Sequence, residues 1–83
     1  MGQNYPNPFN PITHISFNIP GTADAELTVF NIMGEAVDEL VDGVVSAGGH
    51  NVSWNAANMP TGVYFYRLES GNFTQTRKLL LVK

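Results

Sequence analysis

The stretch from residue 62 to 73, running on into residues 79–83, constrains this chain more than any other. Gly62-Val63-Tyr64-Phe65-Tyr66-Arg67-Leu68-Glu69-Ser70 is dense in aromatic and β-branched residues, the types that suit a pleated, half-buried surface. A turn at Gly71-Asn72 or at Ser70-Gly71 follows, and Leu79-Leu80-Leu81-Val82-Lys83 closes the chain on an apolar run. Strand side chains alternate, so either turn puts Tyr64, Tyr66 and Leu68 on one face with Leu79 and Leu81. Arg67 and Glu69 then point the other way. The pattern is a β-hairpin, and a tail this apolar is expected as an inner strand of a sheet rather than a free end.

Upstream, the alternation recurs. Asn4-Tyr5-Pro6-Asn7-Pro8-Phe9-Asn10-Pro11 fixes φ at every other residue and removes ladder donors, so residues 3–11 are expected as coil. Tyr5 and Phe9 are apolar anchors that a solvated linker does not need, which favours a strap packed on the domain. Residues 12–19 alternate strictly, with Ile15, Phe17 and Ile19 inward and His14, Ser16 and Asn18 outward. Pro20-Gly21 stops them. Residues 26–31 repeat the pattern with Leu27 and Val29 inward, and Asn31-Ile32-Met33-Gly34 supplies a turn in which Gly34 takes a positive φ. In residues 35–42, Val37, Leu40 and Val41 keep no single parity, which fits a bulged strand or a short helical turn. A helix would lack an N-cap at Gly34-Glu35, so the bulged strand is preferred. Asp42-Gly43 and Ala47-Gly48-Gly49 then bracket a loop before residues 50–55, where Val52 and Trp54 point inward.

Six or seven short strands with turn signals between them indicate an all-β fold, a single immunoglobulin-like antiparallel β-sandwich over residues 12–83. Tyr64, at the start of a late strand, stands where a tyrosine corner would, its hydroxyl bonded to nearby backbone. The expected core is Ile15, Phe17, Leu27, Val29, Val52, Trp54, Tyr64, Tyr66, Leu68, Leu79 and Leu81. At 83 residues and without cysteine, packing alone must hold this fold, and the 43% hydrophobic content is enough for a small core. Only 13% of residues are charged and the net charge is −3, which argues against a phosphate-binding surface and hence against nucleic acid. No apolar run is long enough for a membrane-spanning helix. Met1-Gly2 leads straight into polar sequence and reads as an expression start, so the chain is expected to be a module of a longer protein with its export signal further upstream.

Chemistry-bearing constellations are sparse. His14 and His50 lie on different strands with no carboxylate at ligand spacing, and no metal or cofactor is expected. Asp38, Glu39 and Asp42 lack the spacing of a calcium loop and read as a solvated face. Ser16, Ser46, Ser53 and Ser70 lie at outward strand or turn positions with no nucleophile-elbow context, so catalysis is not expected. Stacked aromatics on a sandwich also serve sugar binding, which leaves a carbohydrate-binding or spacer module on a secreted glycan-degrading enzyme as the alternative reading. Trp54, Tyr64 and Tyr66 fall on inward parity, against that use. Phe30 and Phe65 share outward parity and sit either beneath the strap or in an exposed patch that marks a partner surface.

Tyr5-Pro6-Asn7-Pro8-Phe9-Asn10-Pro11 followed by Thr13, Ile15 and Phe17 resembles the opening signature of the C-terminal sorting domains of the type IX secretion system. The likeness runs on through Leu27-Thr28-Val29-Phe30-Asn31, Gly34 and Val37, then Ala47-Gly48, His50, Val52 and Trp54. It ends on Thr61-Gly62-Val63-Tyr64-Phe65-Tyr66-Arg67-Leu68, Thr76-Arg77-Lys78-Leu79 and Lys83. Asn55 departs from it, since an aspartate commonly follows the tryptophan. The resemblance implies a non-enzymatic sorting domain at the C-terminus of an exported protein from Bacteroidetes-related bacteria. Its implied partners are outer-membrane type IX components, a sortase-like peptidase and an N-terminal passenger. The implied route is the periplasm in transit, then the outer-membrane surface or the medium. Carried over by position, the recognition residues are Gly62, Tyr64, Arg67, Lys78 and Lys83.

Overall fold

The computed structural model describes residues 1–82, so Lys83 lies outside the described residues. Six strands form: β1 (Ile12–Ile19), β2 (Ala23–Asn31), β3 (Ala36–Val45), β4 (Gly48–Asn55), β5 (Gly62–Ser70) and β6 (Phe73–Leu81). They make two antiparallel sheets, β1-β4 and β3-β2-β5-β6, which face each other as a β-sandwich. Among the described residues, no helix is long and apolar enough to cross a membrane.

The strict alternation of β1 becomes a strict alternation of burial, and it supplies Ile15, Phe17 and Ile19 to the interior. The facing sheet supplies Ala25, Leu27, Val29, Tyr64, Tyr66, Leu68, Leu79 and Leu81. Trp54 lies between, 1% exposed, its ring 5.7 Å from Phe9 and 5.4 Å edge-on from Tyr64. Val52 is only half-buried at the margin of this core. β4 lies in the smaller sheet with β1 alone as its partner strand, so Val52 has less cover than its inward parity suggests.

The hairpin turn is Gly71-Asn72, because Ser70 pairs with Phe73. Gly71 carries φ 59 and Asn72 no positive φ, the signs of a type II′ turn. The tail is not an inner strand. β6 is an edge of the four-stranded sheet, and its apolar residues are covered instead by the strap. Phe9 donates its N–H to Leu80 O at 3.0 Å and accepts from Val82 N at 3.0 Å, while the Asn7 side chain accepts from Leu80 N. Edge and strap close each other.

The strap's second anchor is not Tyr5, which is 78% exposed. Its backbone does the work instead, exchanging hydrogen bonds of 2.9 and 2.8 Å with His14 on β1. The buried polar side chains here are Asn4 and Thr13: the Thr13 hydroxyl donates to Pro6 O and accepts from Asn4 Nδ2, both at 2.9 Å. The Tyr66 hydroxyl accepts from Asn4 N at 2.8 Å and donates to Gly2 O. Burial pushes the Tyr66 phenol up, with the Asn4 bond and the Arg77 charge pulling the other way.

β3 is a strand with two register shifts against β2, between Leu27 and Thr28 and between Val29 and Phe30. Leu40 and Val37 are the extra residues, which explains their broken parity. The loop expected over residues 42–49 is mostly strand: β3 runs through Gly43 to Val45, and only Ser46-Ala47 lie between it and β4. Gly43, in regular register opposite Ala25, takes φ 135 inside the strand.

Candidate functional site

The two bulges sort the acids in a way parity alone does not. Asp38 pairs with Val29 and stays exposed at the edge of the sheet, where its Oδ2 accepts the Trp54 Nε1 hydrogen at 3.0 Å. Like Glu39 and Asp42 it is exposed, as expected of a solvated acidic face. Glu39 and Asp42, three apart, come onto one face because Leu40 is extruded between them, and Glu26 joins them from β2. Their carboxylate oxygens lie within 4.8 Å of one another. The Asp42 charge, then desolvation, a bond to Asp42 and the Glu26 charge hold the Glu39 carboxyl above the usual carboxylate range.

That cluster is a stability statement with a sign. A raised Glu39 means the folded state binds its proton more readily, so its repulsion is absent in acid and present once the pH has risen through its folded value. Glu39→Gln is therefore expected to raise the melting temperature at neutral pH, with the gain closing in acid. Melts of both proteins across that range check it, and a gain that does not change with pH would refute the electrostatic cause.

On the same outer face, the cross-strand rows read Phe30–Phe65–Lys78 and Thr28–Arg67–Thr76. The Arg67 guanidinium sits 4.5 Å over the Phe30 ring, and its Nε lies 2.7 Å from Glu69 Oε1. That is an ion pair by distance in which the N–H does not aim at the oxygen. Half-exposed on both sides, it contributes little to stability. Phe30 and Phe65 are half-buried beside Arg67, and the strap, which runs along β1 and β6, does not cover them. Lys78 stands exposed across from Phe65. Only its backbone carbonyl is engaged, by Gln3 Nε2 at 2.8 Å.

Arg67 and Lys78 thus share one surface, as diagonal neighbours on paired strands. Tyr64 does not join them. It is buried, and its hydroxyl donates to Pro60 O at 2.6 Å, making the expected tyrosine corner. Gly62 opens β5 with φ 153 in otherwise open space, so its contribution is backbone conformation alone. Lys83 lies outside the described residues. The bonded set of Asn4, Thr13 and Tyr66 was not singled out from sequence. The one available signal was a polar Thr13 on the inward parity of β1.

An antiparallel β-sandwich that buries Trp54, Tyr64 and Tyr66 and carries Arg67, Arg77 and Lys78 on one terminal hairpin defines a small all-β module. Residues 3–83 match the family model described as the secretion system C-terminal sorting domain, and the chain belongs to that family. It is the C-terminal sorting signal for type IX secretion. A search of curated proteins returns no match. With Trp54, Tyr64 and Tyr66 all buried, the carbohydrate-binding reading has no stacking platform from the residues that suggested it.

Proposed function

We propose that the outer face of the terminal hairpin is the surface by which outer-membrane type IX components recognise this domain. Arg67 and Lys78 act directly, Lys83, outside the described residues, adds a further positive charge to the tail sequence, and Gly62 and Tyr64 hold the corner from which β5 starts. The observation that carries this is the segregation of charge. All four cations, Arg67, Arg77, Lys78 and Lys83, come after residue 66, whereas every acid except Glu69 lies in residues 24–42. A folded label with fixed charges on one face is recognised by docking, with no demand on the passenger's own fold. Export then takes the passenger through the periplasm to the outer-membrane surface or the medium, with a sortase-like peptidase acting on those that are anchored.

Trimming residues 80–83 would not isolate recognition, because Leu81 is fully buried and Phe9 bonds to Leu80 and Val82. Charge reversal does. With residues 3–83 fused to a reporter in a type IX-competent strain, Arg67→Glu with Lys78→Glu is expected to cut export about tenfold or more. Melting of the isolated double variant must stay near that of the parent. Full export of a folded double variant would defeat the proposal.

A further inference from the structure

We propose that the open half of the β6 edge, residues 74–78, docks an extended, acidic segment of a partner polypeptide by strand addition. This rests on reading the terminal hairpin as the recognition element. β6 borders the four-stranded sheet, and its free edge is divided in two. The strap takes one half: Leu80 N bonds to Asn7 Oδ1, Leu80 O to Phe9 N, Val82 N to Phe9 O and Lys78 O to Gln3 Nε2. Backbone groups alternate in direction along a strand, so the same side of β6 carries the N–H and C=O of Thr74 and Thr76 and the N–H of Lys78. Among the described residues, neither strap nor sheet meets these.

The opposite border of the sheet shows what a blunted edge looks like. β3 carries two bulges together with Asp38, Glu39 and Asp42, devices that deter pairing. β6 has no bulge and no acid, and Lys78 at the end of its open half is the one charge that points outward from it. Its register with β5 is unbroken from Gly62 opposite Leu81 to Ser70 opposite Phe73, it contains no proline, and Thr74 and Thr76 suit an added neighbour. Charge then selects the occupant. On the outer face Lys78 and, on the adjoining strand, Arg67 flank the open half, while Glu69 opposite Thr74 is already paired with Arg67 and Arg77 faces the other way with its Nε on Met1 O; the exposed Lys78 therefore attracts an incoming strand bearing carboxylates and repels a basic one. A strand laid here stops at Lys78, where Gln3 and the strap begin.

The probe is a capped peptide of alternating valine and glutamate, with a valine–lysine peptide as its counterpart. Amide hydrogen exchange of the full chain is followed at Thr74, Thr76 and Lys78. The acidic peptide is expected to slow these amides while leaving those of β3 unchanged, and Lys78→Glu to weaken its binding about tenfold. Thr76→Pro, which removes an outward N–H without changing charge, is expected to abolish the protection. Thr74→Pro serves should T76P lower the melting temperature. No slowing, equal effect of the lysine peptide, or protection on β3 overturns the proposal. So does protection without peptide that grows with protein concentration, because the occupant is then a second copy. In the reporter fusion, export of both the parent and T76P overturns the docking edge and leaves the sorting reading standing. Failure of the parent fusion to be exported sinks the sorting reading itself, whatever the peptides do.

Discussion

Trp54→Ala is expected to cost ~3–5 kcal/mol, the range for truncating a fully buried large aromatic. A chain of this size holds only ~0.05–0.15 kcal/mol per residue, so the loss approaches its whole stability. Three separate contacts go at once: the tilted pair with Phe9, the edge-on pair with Tyr64, and the Nε1 bond to Asp38. The last adds little beyond the lost area, because Asp38 is exposed and water replaces the indole as its partner. Urea unfolding followed by far-ultraviolet circular dichroism should show little or no folded baseline. Trp54→Phe, which keeps a ring and gives up only the indole bond and part of the area, should retain a clear cooperative transition. If the alanine variant unfolds near the parent midpoint, Trp54 does not organise the sandwich, and the recognition face resting on that core loses its rigid support.

Where sequence and structure agree, the reason is a period-two pattern with nothing to interrupt it. β1 and β5 each keep one parity from end to end, so Ile15, Phe17, Tyr64, Tyr66 and Leu68 could be placed inward from the residues alone. The tyrosine corner was legible for a similar reason, since a glycine, a strand start and a tyrosine fall within three positions. The places where parity misled have a common cause as well. A bulge changes which residues share a face, and nothing in Val37 or Leu40 announces that both will be left without a partner on β2. Asp38, Glu39 and Asp42 therefore read as one acidic group, when the fold divides them between a bond to Trp54 and a cluster with Glu26.

Edge position was the other blind spot. An apolar tail implies cover, but parity cannot say whether a strand or a strap provides it. The same limit applied to Tyr5. Its side chain reads as an anchor, whereas the structure uses its peptide group against His14 and leaves the ring in water. Of the candidate recognition residues, Arg67 was assigned outward by alternation, and it lies on one face with Lys78. Tyr64 was assigned both inward and to recognition, and its burial settles the former.

Phe9→Ala carries the second large effect, and it tests whether the strap is part of the domain. Phe9 is 1% exposed, packs on Trp54 and pairs in parallel with Leu81, so truncating it opens a cavity between the sheets where the strap, not a strand, covers the edge of β6. The expected cost is ~3–5 kcal/mol. Tyr5→Ala is the internal control: an exposed ring four residues away should change stability by no more than ~0.5 kcal/mol. A strap that were only a linker would make the two substitutions equivalent. Exchange should distinguish local from global loosening, because the Leu80 and Val82 amides are held by Asn7 and Phe9 rather than by a strand. They are expected to exchange faster in Phe9→Ala than the stability change alone accounts for, while amides of β2, flanked by strands on both sides, follow global unfolding. Freed from the strap, the second half of the β6 edge becomes as open as the first, so the variant should also self-associate more readily than the parent in sedimentation.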